Sequence, residues 1–193
     1  MSKYAFQIRI SNDRYEDLQF FPGQFGSMVS TEWTPAACNA GFLCNKGDHF
    51  ATGGYKMTQA SDGADELYAC DPSDVQRISD GANGLYAVGA RTLGLGIPAG
   101  KIDSYCHLVV GETYAFGPDN FSTLVTTTNK YATVSNGKLV GSSSKPDDGS
   151  GYYFELDTGL GIDYFVEGNG NAYARYNLIL RKAPPAAPTS VGG

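Results

Sequence analysis

The fold is decided by the stretch NGLYAVGARTLGLGIPAGKIDSYCHLVVGETYAFGPDNFSTL, residues 83–124. It opens with an Asn-Gly turn signal and a short apolar run, and glycines and a proline then interrupt residues 89–100. Gly and Pro at this density disfavour a helix through the leucines. The next run alternates, which predicts a strand with one face formed by Ile102, Ser104, Cys106, Leu108 and Val110. This stretch carries no recognisable nucleophile, acid–base pair or metal cluster, and its pattern is typical of scaffold.

Composition agrees with a chain of strands and turns. Of 193 residues, 25 are Gly, 13 are Tyr and 10 are Phe, while only 18% are charged. The net charge of −6 disfavours binding to nucleic acid, since no local basic patch is evident. No apolar run has the length of a signal peptide or a membrane span, so we expect a soluble protein made in the cytoplasm.

Four cysteines occur, at positions 38, 44, 70 and 106. Without a signal peptide, free buried thiols are expected. Cys38 and Cys44 are spaced more widely than the ligands of a zinc knuckle, and Cys106 and His107 point to opposite faces of a strand. We therefore predict no metal and no cofactor. The alternative is a metal site assembled from Cys38, Cys44, His49 and Cys70.

The N-terminal region is rich in apolar side chains that need a partner. Residues 4–10 alternate as an amphipathic strand, which must pair with a sheet edge of its own subunit or of a neighbour. Residues 11–37 then lose periodicity, which indicates an extended aromatic arm or, alternatively, a loop covering its own core. We predict assembly contacts by the apolar side chains of both segments: Tyr4, Phe6, Ile8, Ile10, Phe20, Phe21 and Trp33.

One helical signal interrupts the strands. Asp71 can cap a helix, Pro72 suits its first position, and Val75 and Ile78 are three residues apart before Gly81. These residues predict one or two helical turns.

The C-terminal third contains the clearest strand patterns. Residues 130–140 form a hairpin pattern around Asn136 and Gly137, the favoured turn pair. Residues 152–156 predict a strand with Tyr152, Phe154 and Leu156 inward. The longest predicted strand covers residues 172–182, with Arg175, Asn177 and Arg181 on the outer face and the following side chains on the core face: Ala174, Tyr176, Leu178 and Leu180.

The predicted fold class is all-β: an antiparallel β-sandwich or barrel-like unit or units, with one short helical turn and extended terminal arms. Four regions follow from the patterns. Residues 1–37 are an N-terminal strand and extended arm, residues 38–124 a β-rich domain, residues 125–183 β hairpins packed on that domain, and residues 184–193 a Pro-rich tail.

Catalytic motifs are weak in this sequence, and we predict no enzymatic activity. The chain has only two histidines. Carboxylate pairs of the kind used in glycoside hydrolysis are Glu155 with Asp157 and Asp163 with Glu167. Their spacing in sequence does not give their separation in space, and solvated turns are the simpler interpretation.

A series of strand and turn segments resembles a known class of protein. These segments are residues 67–70, 88–95, 97–100, 111–117, 131–140, 153–156 and 165–168. In this order they resemble small head-associated proteins of tailed bacteriophages, of the capsid decoration or cement type, over residues 65–182. The resemblance implies an all-β accessory protein that binds the outside of an icosahedral shell, often as a multimer.

The resemblance also implies partners and a location. The partners would be the major capsid protein and other copies of the chain, with no nucleic acid and no membrane. The protein would be made in the host cytoplasm and reside on the capsid surface of the virion. The alternative function is a glycan-binding β-module of a phage tail fibre or a cell surface, with tyrosines and Trp33 as stacking platforms.

Overall fold

The computed structural model describes residues 4–9, 19–61, 66–72, 76–79, 85–88, 96–147, 149–166 and 172–185. Strands account for 56% of the chain and helix for 2%, which confirms the predicted all-β class. Within the described ranges, no helix has the length and apolar character needed to cross a membrane. The strands in chain order are β1 (Phe6–Ile8), β2 (Phe20–Val29), β3 (Glu32–Pro35), β4 (Cys38–Asn39), β5 (Leu43–His49), β6 (Tyr55–Gln59), β7 (Tyr68–Cys70), β8 (Gln76–Ser79), β9 (Leu85–Val88), β10 (Gly96–Ile97), β11 (Asp103–His107), β12 (Thr113–Phe116), β13 (Phe121–Thr123), β14 (Tyr131–Ser135), β15 (Lys138–Ser142), β16 (Tyr152–Leu156), β17 (Ile162–Val166) and β18 (Ala172–Lys182).

Five strands close into a small barrel. Strand β11 pairs with β7 on one side and β2 on the other, and the ring continues through β6 and β5 back to β7. Strand β2 changes partner at Gly23, which is paired with both Asp103 and Tyr55. A side chain at Gly23 would collide with Met57 and Tyr105 inside the barrel. Closure of the ring pairs the strand edges that an open sheet would expose.

The far end of β2 leaves the barrel and forms a hairpin with β3. Gly26–Val29 pair antiparallel with Glu32–Pro35, and Ser30 takes a left-handed φ of 57° in the turn. Residues 20–25 therefore belong to the barrel wall and residues 26–35 to a hairpin, not to the extended arm that the sequence indicated. The hairpin was not recognised because Pro22, Gly23 and Gly26 interrupt the alternation of side chains, whereas backbone pairing does not require that alternation.

The second body is a curled sheet with the strand order β1-β12-β18-β16-β14-β15-β13, and β17 also pairs with β18. Strands β12 and β13 stand far apart in this order, yet only Gly117 and the 3-10 turn Pro118–Asn120 join them. The sheet must therefore roll up. Phe121 of β13 accordingly contacts Tyr176 of β18, with 4.9 Å between the ring centroids.

The inner face of the curled sheet and the outer wall of the barrel share one core. The barrel contributes Leu43, Ala69 and Cys106, and the sheet contributes side chains such as Phe154 and Leu178, all fully buried. A second cluster fills the barrel and consists of Cys38, Cys44, Met57, Tyr68, Cys70, Ile97 and Tyr105. Strand β11 serves both cores, because its two faces point into the barrel and towards the sheet.

The C-terminal strand patterns are confirmed. Strand β18 has the predicted bounds, and Tyr176, Leu178 and Leu180 are buried on its core face. The predicted hairpin is β14–β15, and Phe154 and Leu156 of β16 are buried. Arg175 and Arg181 lie on the outer face as predicted, whereas Asn177 on the same face is fully buried and donates to the Gly161 carbonyl at 3.0 Å. Arg175 is nevertheless engaged there, since it forms an ion pair with Asp163 (2.8 Å) and donates to the Gln7 side chain (2.8 Å).

The prediction of a helix after Asp71 is wrong. Gln76–Ser79 is strand β8, paired antiparallel with β9. The only helical element in the described ranges is the 3-10 turn Pro118–Asn120. A helix of one or two turns must meet its nucleation cost from few hydrogen bonds, whereas β8 gains a full partner strand in β9. Val75 and Gly81 lie outside the described residues.

The N-terminal strand pairs within its own chain. Strand β1 is antiparallel to β12, with Phe6 opposite Phe116 and Ile8 opposite Tyr114. Phe6 and Ile8 pack against the shared core. The large sheet thus takes strands from three of the four regions that the sequence suggested. The tail beyond residue 185 lies outside the described residues.

Asn120 joins the N-terminal strand, the large sheet and the barrel region. Its buried side-chain oxygen accepts hydrogen bonds from the backbone N–H groups of Ala5 (3.2 Å) and Gly117 (3.0 Å). Its amide nitrogen donates to the carbonyl of Ala40 (2.8 Å). One buried amide therefore satisfies three backbone groups at the junction of the two bodies.

A second junction is made by the β14–β15 turn. The backbone N–H of Gly137 donates to the Ala60 carbonyl (2.9 Å), and the backbone N–H of Leu43 donates to the Gly137 carbonyl (2.9 Å). The turn of the large sheet is thereby bonded directly to the barrel.

Candidate functional site

The outer wall of the barrel exposes apolar side chains on neighbouring strands. Phe20 of β2 is opposite Cys106 of β11, and Pro22 is opposite Ser104. Phe20 is 49% exposed and Ile102, which precedes β11, is 46% exposed. Scattered apolar side chains are normal on a surface, but these belong to two paired strands and lie on the same side of the barrel wall.

The hairpin at the end of β2 extends this apolar character. Met28 and Val29 stand beside the β2–β3 turn and are 52% and 56% exposed. We refer to Phe20, Pro22, Met28, Val29 and Ile102 together as the exposed β2 surface, in which Met28 and Val29, as consecutive strand residues, point to opposite faces of the hairpin. It consists of apolar side chains held on a closed barrel and on a hairpin anchored to that barrel.

Most of the predicted assembly residues serve the chain's own fold. Phe6 and Ile8 pack on the shared core, and Phe21 points into the barrel, with ring centroids 5.7 Å from Tyr55 and 5.6 Å from Tyr68. Ile10 lies outside the described residues. Phe20 remains as a predicted contact residue whose side chain is largely exposed.

Trp33 and Tyr4 are half-buried and have partners in the chain. The Trp33 ring meets Phe50 edge-on at 5.7 Å, and its Nε1 donates to the Gln24 side chain at 2.8 Å. The Lys138 ammonium lies 5.3 Å from the centroid of the Tyr4 ring. These contacts occupy part of the ring surface that a glycan would need for stacking.

A lysine lies among aromatic rings at one end of the barrel. Lys46 Nζ is 4.1 Å from the ring centroid of Phe21, 5.0 Å from that of Tyr55 and 5.3 Å from that of Tyr68. Both histidines of the chain flank this Lys46 cluster: His49 contacts Tyr55 at 4.6 Å, and His107 contacts Tyr68 at 5.0 Å. Sequence reasoning missed the cluster because its members lie on five strands, which only closure of the barrel brings together.

Burial sets the charge state of the Lys46 cluster. Burial lowers the pKa of His107, Glu66 opposes this effect and Lys46 adds to it. Tyr68 donates to the Glu66 carboxylate at 2.7 Å, and burial together with that bond raises the pKa of its hydroxyl. At neutral pH the His107 imidazole and the Tyr68 phenol are therefore uncharged, and the Lys46 nitrogen lies over three aromatic rings in cation–π geometry.

The candidate carboxylate pairs have structural partners. Glu155 forms an ion pair with Arg181 at 3.2 Å. Asp157 accepts two backbone N–H bonds in the turn after β16 (2.7 and 3.1 Å). Asp163 is bonded by two arginines, at 2.9 and 2.8 Å. Glu167 lies outside the described residues. The three described carboxylates are thus held in ion pairs or a turn.

The structure assembles part of the alternative metal set. Cys38, Cys44 and Cys70 meet inside the barrel as free, buried thiols. His49 does not join them, since it is exposed beside Tyr55. Across the residues that are described, no three or more His, Cys, Asp or Glu side chains are placed to hold a metal ion.

No protein-family model, curated protein or solved structure matches this chain.

Proposed function

We propose that this chain is a structural, non-enzymatic protein of a tailed-bacteriophage virion that decorates the outer surface of the capsid and bridges neighbouring capsomers. Its partners are the major capsid protein and further copies of the chain, and it is made in the host cytoplasm. The observation that carries the proposal is the exposed β2 surface, where Phe20, Met28 and Val29 are each about half exposed.

The energetics of such a contact suit a shell. Burying apolar surface yields about 25 cal/mol per Å², while association costs roughly 4–15 kcal/mol before any net affinity remains. A surface of five side chains therefore supports modest affinity at one site. Many identical sites on a shell compensate, because a bridging copy engages two capsomers at a high effective concentration.

Co-sedimentation with shells from the phage that encodes the chain tests the proposal. We expect the double variant Phe20→Ser/Met28→Ser to bind at least about tenfold more weakly, which corresponds to a loss of roughly 1.4 kcal/mol. Leu160→Ser is the matched control, because Leu160 is an exposed apolar residue on the turn after β16 and lies outside the exposed β2 surface. Equal binding by both variants, or no binding of the unaltered protein to shells, would overturn the proposal.

A glycan-binding role is the second candidate, and Tyr164 favours it. Its ring is 66% exposed on β17, beside the exposed Ile162 one alternation away. Exposed aromatic rings are platforms on which sugar rings stack. Binding on a glycan array that disappears in Tyr164→Ala and persists in Phe20→Ser/Met28→Ser would support this function over capsid decoration.

A further inference from the structure

Three cysteine thiols from different strands meet inside the small barrel. Cys38 lies on β4, Cys44 on β5 and Cys70 at the end of β7, and all three are buried. All three belong to the one cluster of buried side chains that fills the barrel. The Cys70 Sγ atom is 3.7 Å from the carbonyl oxygen of Cys38, so the Cys70 sulfur lies directly beside the Cys38 backbone.

A buried hydroxyl without a hydrogen-bond partner faces these thiols. Tyr105 is fully buried, and its hydroxyl finds no partner of normal geometry among the described residues. Tyr105 belongs to the same buried cluster as the three cysteines. A donor of this kind is satisfied best by a sulfur atom that carries negative charge.

The three thiols differ in acidity. Burial alone would raise the pKa of Cys38, but contacts from Cys44, Cys70 and Tyr105 outweigh it and lower that pKa. Burial raises the pKa of both Cys44 and Cys70. Cys38 is therefore the thiol of the cluster that ionises first, and the thiolate is the reactive form of cysteine.

We propose that Cys38 and Cys70 are a reversible oxidation site, which closes to an intramolecular disulfide when the protein meets hydrogen peroxide. The site is independent of the proposed role on the capsid. Peroxide suits a buried thiol because it is scarcely larger than a water molecule.

The chemistry has two steps. The Cys38 thiolate attacks one peroxide oxygen, the O–O bond breaks, hydroxide leaves and Cys38 becomes a sulfenic acid. The Cys70 sulfur then attacks the Cys38 sulfur, the S–S bond forms, and the sulfenic oxygen leaves as water with the Cys70 proton. In sum, two thiols lose two electrons and two protons, and peroxide is reduced to two waters.

Geometry favours Cys70 over Cys44 as the resolving thiol. The Cys44 sulfur faces the carbonyl of Phe42 at 3.7 Å, whereas the Cys70 sulfur faces the backbone of Cys38 itself. A Cys38–Cys70 bridge would tie β4, together with its partner β10, to the barrel wall at β7. A covalent link between segments that far apart in sequence stabilises the folded state by restricting the unfolded chain.

Thiol counting and mass spectrometry on the full chain test the proposal. After peroxide treatment, labelling in denaturant should fall from the four thiols of the reduced chain to two, with a mass loss of about 2 Da and a peptide linking Cys38 to Cys70. Cys106→Ala is the matched control. It should react normally, since Cys106 lies in the other core and burial raises its pKa to about 12.

Two further variants assign the roles. After peroxide treatment, the remaining cysteines of Cys38→Ala should all still react with the thiol label, because no bridge forms. Cys70→Ala should form no bridge, and its Cys38 should instead be trapped as the sulfenic acid by dimedone that is added together with denaturant. Four labelled thiols in the treated unaltered protein, a Cys38–Cys44 link, or dimedone on Cys106 and not Cys38 would each overturn the assignment. Since the Cys70→Ala result requires a reactive Cys38, it decides the matter even if Cys38→Ala does not fold.

Discussion

At the scale of single residues, the β14–β15 turn shows how one position meets several demands. Asn136 and Gly137 take left-handed φ values of 51° and 69°, as a two-residue hairpin turn requires. A Cβ on Gly137 would also collide with the ring of Phe42. Both backbone groups of Gly137 are bonded to the barrel. The residue is therefore restricted by its backbone angle, by its neighbour and by its hydrogen bonds.

We expect Gly137→Ala to lower the free energy of unfolding by about 2–4 kcal/mol, the sum of left-handed strain and overpacking against Phe42. Gly53→Ala is the matched control, because Gly53 has a φ of 97° but no atom lies within 4 Å of the place that its Cβ would take. Urea unfolding of both variants measures the difference. Equal losses would show that contact with Phe42 adds nothing.

His107 makes stability depend on pH. Because burial lowers its pKa, the folded protein binds the His107 proton more weakly than the unfolded chain does. Its contribution is complete above the unfolded pKa of about 6.5 and decreases as the pH falls through that value towards the folded pKa. Glu66 and Lys46 are the charged groups that act on it, in opposite directions.

We therefore expect the unaltered protein to lose stability between about pH 7.5 and about pH 5, and His107→Gln to lose less over the same interval. Urea unfolding at the two pH values checks this. His49→Gln is the control, since His49 is exposed at the same end of the barrel. The same pH dependence in both variants would exclude burial of His107 as the cause.

At the scale of elements, β18 holds the large sheet together. It pairs with β12 along one edge and with β16 and β17 along the other. Its core face is buried throughout its central part, and its outer face carries Arg175 and Arg181 in ion pairs.

Substitutions on the two faces of β18 should differ in cost. Leu178→Ala should cost about 2–5 kcal/mol, because Leu178 is fully buried. Arg181→Ala should cost at most about 1 kcal/mol, because its ion pair with Glu155 lies at the surface. Thermal unfolding compares the two. Equal melting temperatures would refute the register of β18.

The elements that sequence predicted well are those with local signals. Strand β18 and the β14–β15 hairpin have regular alternation and an Asn-Gly turn, so their bounds could be read from neighbouring residues. The β2–β3 hairpin could not be read in this way, since glycine and proline break its alternation. Barrel closure and the Lys46 cluster depend on which strands pair, and local sequence does not determine pairing between distant strands.

At the scale of the whole molecule, the N-terminal strand belongs to the chain's own sheet. Strand β1 pairs with β12, and the Arg9 backbone N–H continues the pairing to the Thr113 carbonyl at 2.9 Å. The Arg9 side chain also forms an ion pair with Asp163 at 2.9 Å. Strand β1 is thus attached by backbone hydrogen bonds, by packing of its apolar side chains on the core, and by the Arg9–Asp163 ion pair.

We expect slowed amide exchange in β1 of the free protein, with little further change on addition of capsid shells. Hydrogen exchange followed by mass spectrometry measures both states. The exposed residues Ala51 and Thr52 serve as the internal reference for weakly protected amides. Exchange of β1 at the reference rate in the free protein, with protection gained only on shells, would instead assign the strand to an intermolecular contact.

The central position of β18 has a consequence for biosynthesis. Strands β1 and β12 are translated long before residues 172–182, yet the edge of β12 that faces β18 has no partner until those residues leave the ribosome. The apolar side chains on the inner face of the sheet remain exposed to water for the same period. Pairing between segments so distant in sequence is also slow. A nascent chain of this protein therefore spends much of its synthesis with unpaired strand edges, which makes it a natural substrate for chaperones that shield such edges.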